Sequence, residues 1–435
     1  MPSSLRQRLD ALREREAVLL TGIVLLALAC RIAVAVITRS WIFSEADHFF
    51  DFGYEMGEVG AALAGGDGFA WPAWGKFPER PTAWMAPAYP WLVGHAFRAF
   101  GIYSVPAAVV LLTLQVLVSA VSCVLLYLIG RRVYNGRVGL LAALMLALYP
   151  SAIHFDVQKI WSTPLYVLCL LVVVYALLRM VDRPTLKSGA VLGAAIGITM
   201  LVDSVVVAAI PFILAWLYFG SASDRGRTLG GMAVTVVVAG LIVTPWLVRN
   251  YQVFGKATYI KSNFGNELFM GNNPLATGGA DDYRVTGRRI TEILSETELK
   301  FLEAANEVEY NRFLRTKAVD WIRDNPGRFV QLTATRVARF WTTIKPPGGS
   351  LEMVAFGAYL AVLFLAVIGL LKSGFDRDVV LILILLLSLP VPYYFTLAAH
   401  VRYRFPIVPF LMLFAANGLL VGWRALQARR AGGFV

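Results

Sequence analysis

Charge is what this sequence has least of. Only 16% of its 435 residues are charged and 58% are hydrophobic, whereas a soluble domain is about a quarter charged and about half apolar. A single soluble core is excluded, and a chain that crosses a membrane several times is implied. Cysteine is almost missing: Cys30, Cys123 and Cys169 all lie inside apolar runs, where they suit neither a disulfide framework nor a metal site. The four histidines include no pair at ligand spacing, so the sequence requires no metal and no other cofactor. No internal repeat is evident beyond two paired apolar units. A net charge of +12 would suit a nucleic-acid binder, but here the basic residues punctuate apolar runs. Topology and anionic lipid headgroups account for that pattern better, and no nucleic-acid partner is expected.

What is abundant is the apolar run of spanning length, about 20 residues. Ten such runs are readable, at about 17–37, 105–130, 137–152, 161–179, 188–202, 204–220, 228–247, 351–371, 378–397 and 405–423. Two adjacent pairs are split by brief polar breaks, PSAIHFDVQK in the first and Asp203-Ser204 in the second. In the latter, Asp203 is placed to cap the helix that follows. The expected fold is an all-α polytopic membrane protein of about ten transmembrane helices. Arg6, Arg8, Arg13 and Arg15 precede the first run, and Arg or Lys clusters recur at every second connection: Arg131/Arg132/Arg137, Arg179/Arg183/Lys187, Arg225/Arg227, Lys372/Arg377 and Arg424/Arg429/Arg430. Short basic loops stay cytoplasmic, which predicts both termini inside, an uncleaved N-terminal anchor and residence in the inner (plasma) membrane.

Two segments are too long to be connectors, and both fall on the outer side. The first, 38–104, opens with six acids between Ser44 and Gly68: Glu45, Asp47, Asp51, Glu55, Glu58 and Asp67. Carboxylates held at a membrane boundary are costly to desolvate, so a cluster of them invites a functional reading. Asp51 and Glu55 are spaced i, i+4, with Asp47 and Glu58 extending the same helical face. Any one of Asp51, Glu55 and Asp47 is a candidate general base that takes a proton from an attacking hydroxyl. Downstream, four prolines stiffen KFPERPTAWMAPAYP, where Trp84 and Tyr89 offer flat faces to a sugar or lipid, and Lys76 and Arg80 offer charge to a phosphate.

The second segment, 249–345, begins beside Asn250 and runs through the amide-rich SNFGNELFMGNN. It continues into a helical pattern broken at Asn325-Pro326. Its last part carries Arg336, Arg339, Phe340 and Trp341, a face suited to the headgroup layer. His154 sits in the first polar break. At the start of the last run, Arg402 and Arg404 stand before Pro406, a good place to hold an anion. Two residues apart on a regular helix, only one of them can face a given ligand. Arg404, at the start of the apolar run, is the expected phosphate contact.

Together FDFGYEMGEVGAALAGGDGF, PTAWMAPAYPWLVGHAFRAFGIYS, TPWLVRNYQVFG with GNELFMGNN, NPGRFVQLTATRVARFW and RYRFPIVPFL resemble membrane glycosyltransferases of the GT-C class. The likeness is to the bacterial family-39 type, named for dolichyl-phosphate-mannose–protein mannosyltransferases. The resemblance runs from about residue 45 to 415. It implies an inverting transfer of a sugar from a polyprenyl-phosphate donor, in the lipid phase, to a protein, lipid or glycan acceptor on the outer face. The turn Gly66-Asp67-Gly68-Phe69 matches the family's Gly-x-Gly-Phe, and the family's acid counts back to Asp51 or Phe52. Two departures stand out: Glu55 falls where the family carries an aromatic, and Trp161 is followed by Ser162 rather than an acid. The expected organisation is a cytoplasmic N-terminus (1–16) and a catalytic membrane module (17–248) containing the acidic loop 38–104. An outer segment (249–345), C-terminal spans (346–424) and a cytoplasmic tail (425–435) follow. The rival class is a transporter or lipid flippase using the acids as proton relays, which wants charge at mid-membrane and repeat symmetry.

Overall fold

The computed structural model describes residues 3–43, 52–53, 55–71, 80–221, 225–279, 282–342, 350–396 and 401–432. The expected sites Asp47, Asp51 and Lys76 lie outside the described residues. Helices α1 (Ser3–Thr38), α2 (Glu55–Gly65), α3 (Ala88–Phe100), α4 (Val105–Val133), α5 (Gly136–Leu148), α6 (Pro150–Val157), α7 (Thr163–Asp182), α8 (Leu186–Val202), α9 (Ile210–Gly220) and α10 (Arg225–Phe254) make the first part. Then come α11 (Phe264–Gly271), α12 (Asp282–Arg288), α13 (Glu296–Ala304), α14 (Glu307–Asp324) and α15 (Pro326–Thr342). The chain closes with α16 (Ser350–Leu371), α17 (Arg377–Ser388), α18 (Val391–Phe395), α19 (Val401–Arg404) and α20 (Val408–Gly432). Strands β1 (Ala70–Trp71) and β2 (Arg80–Pro81) pair antiparallel.

Among the described residues seven helices are long and apolar enough to span a membrane, eight when the bent pair α5–α6 is counted as one. Two shorter apolar stretches, Leu186–Val202 and Ser204–Gly220, fill the remaining expected runs. The chain is a multi-pass membrane protein of all-α fold. Its breaks follow local chemistry. Pro150 has no N–H to return to the carbonyl of Leu146, and α5 and α6 meet at 55°. Asp203 accepts from Val205 N at 3.2 Å and opens the 3-10 turn Ser204–Ala209, as the sequence predicts. Close helix pairs rest on small residues: a Cβ on Gly189 would stand 2.3 Å from the carbonyl oxygen of Gly231, and one on Gly369 would collide with the backbone of Phe414.

The connections rich in arginine gather at one end of the bundle. Arg132 Nη2 lies 2.7 Å from Asp182 and 3.4 Å from Asp378, Arg377 lies 3.1 Å from Asp182, and Arg131 lies 3.6 Å from Glu16. The ends of α4, α7 and α17 are thus tied together beside the early part of α1. The two long polar segments cover the opposite end. There β2 and the loop after it dock on the second segment. Glu307, at the start of α14, accepts from Thr82 Oγ1 (2.5 Å), Ala83 N (2.8 Å) and Ser262 Oγ (2.6 Å), while Arg249 donates to the carbonyls of Thr82 and Phe69 at 2.7 Å each.

Two local expectations are corrected. The expected acidic helix is not continuous: Phe52-Gly53 is a turn with Gly53 at φ 77°, and the described helix begins after it, at Glu55. And α15 turns Arg336 and Phe340 into the protein, 1% and 2% exposed, rather than toward lipid headgroups. Arg336 donates to Gly271 O and Asn272 Oδ1 and to the carbonyls of Tyr394 and Phe395, clamping the end of α11 to the end of α18.

Candidate active site

Four segments far apart in sequence converge at this polar-segment end. The first brings Glu55. Gly53 takes its left-handed conformation against the turn before α7, where an added Cβ would lie 2.6 Å from Ile160 O and 2.7 Å from Trp161 Cδ1. Glu55 begins α2 two residues later. The helix is held from behind by α3, where Gly60 meets Val93 and Gly94 meets Leu63. On its other flank Tyr103 donates to Glu58 at 3.3 Å, which makes Glu58 an anchor of the loop.

The second segment supplies Trp161, stacked on Phe155 at 5.7 Å. The third is the start of the last span. The Arg402 guanidinium lies 5.1 Å from the Trp161 ring centroid and 4.9 Å from that of Tyr403, and donates to Tyr403 Oη at 2.9 Å. Tyr403 in turn stacks on Tyr393 at 4.5 Å. A guanidinium flattened between aromatic faces keeps its charge while its direction is fixed.

The fourth segment is α11, with Glu267. Burial pushes its carboxyl above the ordinary value of 4.5; Lys261 and Arg402 pull it back, and the Glu55 charge pushes it further up. Two carboxylates and two cations therefore share one field. Glu267 is held in place by the turn that follows α11. Asn272 donates to Leu268 O and Phe395 O at 2.8 Å each, and Asn273 donates to Phe269 O at 2.9 Å. That turn is the GNN of the sequence. Nothing in the sequence singles out Glu267 or Lys261, because Glu55 and Arg402 lie more than a hundred residues from both.

The remaining expected residues are placed as follows. Arg404 is 4% exposed, donates to Phe340 O at 2.9 Å and covers the Tyr359 ring at 3.6 Å. It ties α15 and α16 to the last span. Arg80 donates to Ala305 O (3.0 Å) and Glu303 O (3.1 Å). Tyr89, 2% exposed, donates to Gln115 Oε1 at 2.5 Å, and Asn250, fully buried, donates to Tyr259 O at 3.2 Å. Trp84 lies 6.4 Å from Trp71 and 6.3 Å from Tyr310, in an aromatic wall between the two polar segments. His154 is exposed on α6 beside Phe155, at 5.6 Å. Among the described residues no group of three or more His, Cys, Asp and Glu side chains could hold a metal ion.

The acidic pair and the cations sit at the polar-segment end of a helical bundle whose fold is that of solved membrane oligosaccharyltransferases. Residues 82–248 match the dolichyl-phosphate-mannose-protein mannosyltransferase family. No curated protein matches the chain. Among solved structures it is similar to the oligosaccharyltransferase AglB of Archaeoglobus fulgidus in complex with an inhibitory peptide and a dolichol-phosphate. The identity is 15% and the TM-score 0.56, covering 96% of this chain and 51% of that one. The apo form of the Archaeoglobus fulgidus oligosaccharyltransferase gives 16% identity and a TM-score of 0.57, with the same coverage. ArnT from Cupriavidus metallidurans bound to undecaprenyl phosphate gives 15% identity and a TM-score of 0.42 over 92% of this chain and 78% of that one. The chain thus spans about half the length of the oligosaccharyltransferases, 51% of each, and shares the fold of that half.

Proposed function

We propose that this protein is an inverting glycosyltransferase that moves a sugar from a polyprenyl-phosphate donor to an acceptor on the extracytoplasmic face. The acceptor hydroxyl oxygen attacks the anomeric carbon, the bond from that carbon to the phosphate oxygen breaks, and polyprenyl phosphate leaves. The proton of the hydroxyl passes to Glu55; Asp51 and Asp47, from the same loop, are the alternative bases. Arg402 and Lys261 meet the charge that develops on the leaving phosphate. Glu267, raised by burial, keeps Arg402 and Lys261 oriented between turnovers. The observation that carries this reading is that Arg402 and, through Gly53, the Glu55 segment meet on the Trp161 ring, with Glu267 buried within reach of their charges, on a GT-C fold.

The charge bias of the connections puts the arginine-rich end and both termini in the cytoplasm of the inner membrane, with 38–104 and 249–345 outside. A transporter would draw its relay from intramembrane charge. The buried pair Arg31–Asp156 is instead locked by bonds to Ser119 and to the carbonyls of α5.

The test is transfer of a radiolabelled hexose from polyprenyl phosphate by protein in lipid. Glu55→Gln lowers turnover by about two to four orders of magnitude, the scale of general-base loss, and leaves donor binding in place. Full turnover by Glu55→Gln, Asp51→Asn and Asp47→Asn alike sinks the assignment of the base to this loop. Movement of the carrier without bond cleavage sinks the enzyme reading.

A further inference from the structure

One chain of polar contacts enters the membrane region and is not used by the reaction above. It starts at Arg31, two turns before the end of α1 and wholly buried. Its Nη1 donates to Ala147 O at 2.8 Å and its Nη2 to Leu146 O at 3.4 Å, the carbonyls left at the break before Pro150. Its Nε donates to Asp156 Oδ2 at 2.7 Å and to Ser119 Oγ at 3.0 Å. Arg31 thus satisfies the broken end of α5 and the charge of α6 together, as buried polar groups require.

One turn from Ser119 on the same face of α4 stands Gln115, 3% exposed. Its Nε2 donates to Lys159 O at 2.8 Å, to Asp156 O at 3.0 Å and to Phe155 O at 3.4 Å. Its Oε1 accepts from Tyr89 Oη at 2.5 Å and from the backbone N of Trp161 at 2.9 Å. A single amide side chain therefore fixes where the chain leaves α6 and where Trp161 begins the approach to α7. Trp161 is the ring on which the Arg402 guanidinium lies, and the ring against which Gly53 closes.

We propose that Gln115 is a positioning residue for the carrier phosphate: it sets the Trp161 ring, and through that ring the direction of the Arg402 guanidinium. The inference rests on the reading that Arg402 meets the phosphate. Gln115 touches no reacting atom. What it supplies is rigidity under a cation whose own side chain is long and has many rotamers.

The experiment titrates a C55 polyprenyl phosphate onto the purified full chain in nanodiscs, with thermal midpoints recorded alongside. The variants are Gln115→Leu, Trp161→Leu, Arg402→Ala and the two doubles that include Arg402→Ala. Trp161→Leu keeps the backbone N–H that Gln115 accepts, so it removes the platform while leaving the Gln115 bonds. It stands in where Gln115→Leu fails to fold. The expected result is an affinity lowered by about three- to tenfold in each single platform variant, the scale of a lost cation–π alignment. In the doubles no further loss beyond Arg402→Ala is expected, because contacts acting through one group do not add. A merely structural role would lower the midpoint and leave the losses additive. Additive losses, or unchanged affinity in both platform variants while Arg402→Ala binds weakly, overturn the positioning role and leave the reaction reading standing. Unchanged affinity in Arg402→Ala overturns both.

Discussion

A methyl group on Gly53 would stand 2.7 Å from Cδ1 of Trp161. That contact joins the acidic first segment to the turn before α7, whose Trp161 ring also lies under the Arg402 guanidinium. Gly53 also has φ 77°, a conformation that disfavours every residue with a Cβ. Gly53→Ala is therefore expected to lower stability by about 1–3 kcal/mol and to displace Glu55. A thermal midpoint within error of the parent, together with full turnover, would show that the two segments are not held together here.

Much of the frame is legible in the sequence because its signals are local. Ten apolar runs, the polar break before Lys159 and the helix stop at Asn325-Pro326 each depend on neighbours a few residues apart. The structure places a helix in every run and ends α14 at Asp324. The site is less legible because its contacts are not local. Arg31 meets Asp156 across 125 residues, and Glu267 feels Glu55 and Arg402 from opposite ends of the chain. Helical periodicity separates Arg402 from Arg404 but cannot say which turns inward. That is decided by Tyr359 and Phe340, which take Arg404. The start of α2 was hidden for another reason: spacing favours a longer acidic helix, and only the turn at Phe52-Gly53 forbids it.

Stability should carry a pH signature from Glu307. Burial raises its carboxyl above the ordinary 4.5, against the hydrogen bonds that favour its charged form. The folded chain thus binds more protons there than the unfolded one, and the contribution is present below 4.5 and lost as pH rises through the shifted range. In Glu307→Gln that fall should disappear. The check is a series of thermal midpoints from about pH 4 to pH 8, parent against variant. Parallel curves would mean that Glu307 ionises as easily folded as unfolded.

The orientation of the bundle is testable without any assay of transfer. Asp324 is exposed at the end of α14, on the polar-segment end. A cysteine at this position should react with an impermeant thiol reagent in cells whose outer envelope has been permeabilised. One at Arg183, at the arginine-rich end, should react only after lysis. The reverse pattern places the acids in the cytoplasm and removes the proposed outer site.

The two arginines before Pro406 should separate binding from folding. Arg404 is buried, and its guanidinium satisfies Phe340 O while covering Tyr359. Removing a charge-assisted bond of this kind costs about 1.5–3 kcal/mol. For Arg404→Ala the loss should fall on the thermal midpoint, with α15 and α16 loosened from the last span. Arg402 is half-buried, spread over Trp161 and Tyr403 and within the field of Glu267. For Arg402→Ala the same loss should fall on polyprenyl-phosphate affinity, about tenfold or more, with little change in the midpoint. Arg402→Lys should recover only part of it, because an ammonium keeps the charge but not the flat face that stacks on two rings. If Arg404→Ala weakens carrier binding while the midpoint holds, the phosphate belongs to Arg404 and the Trp161 platform serves another end.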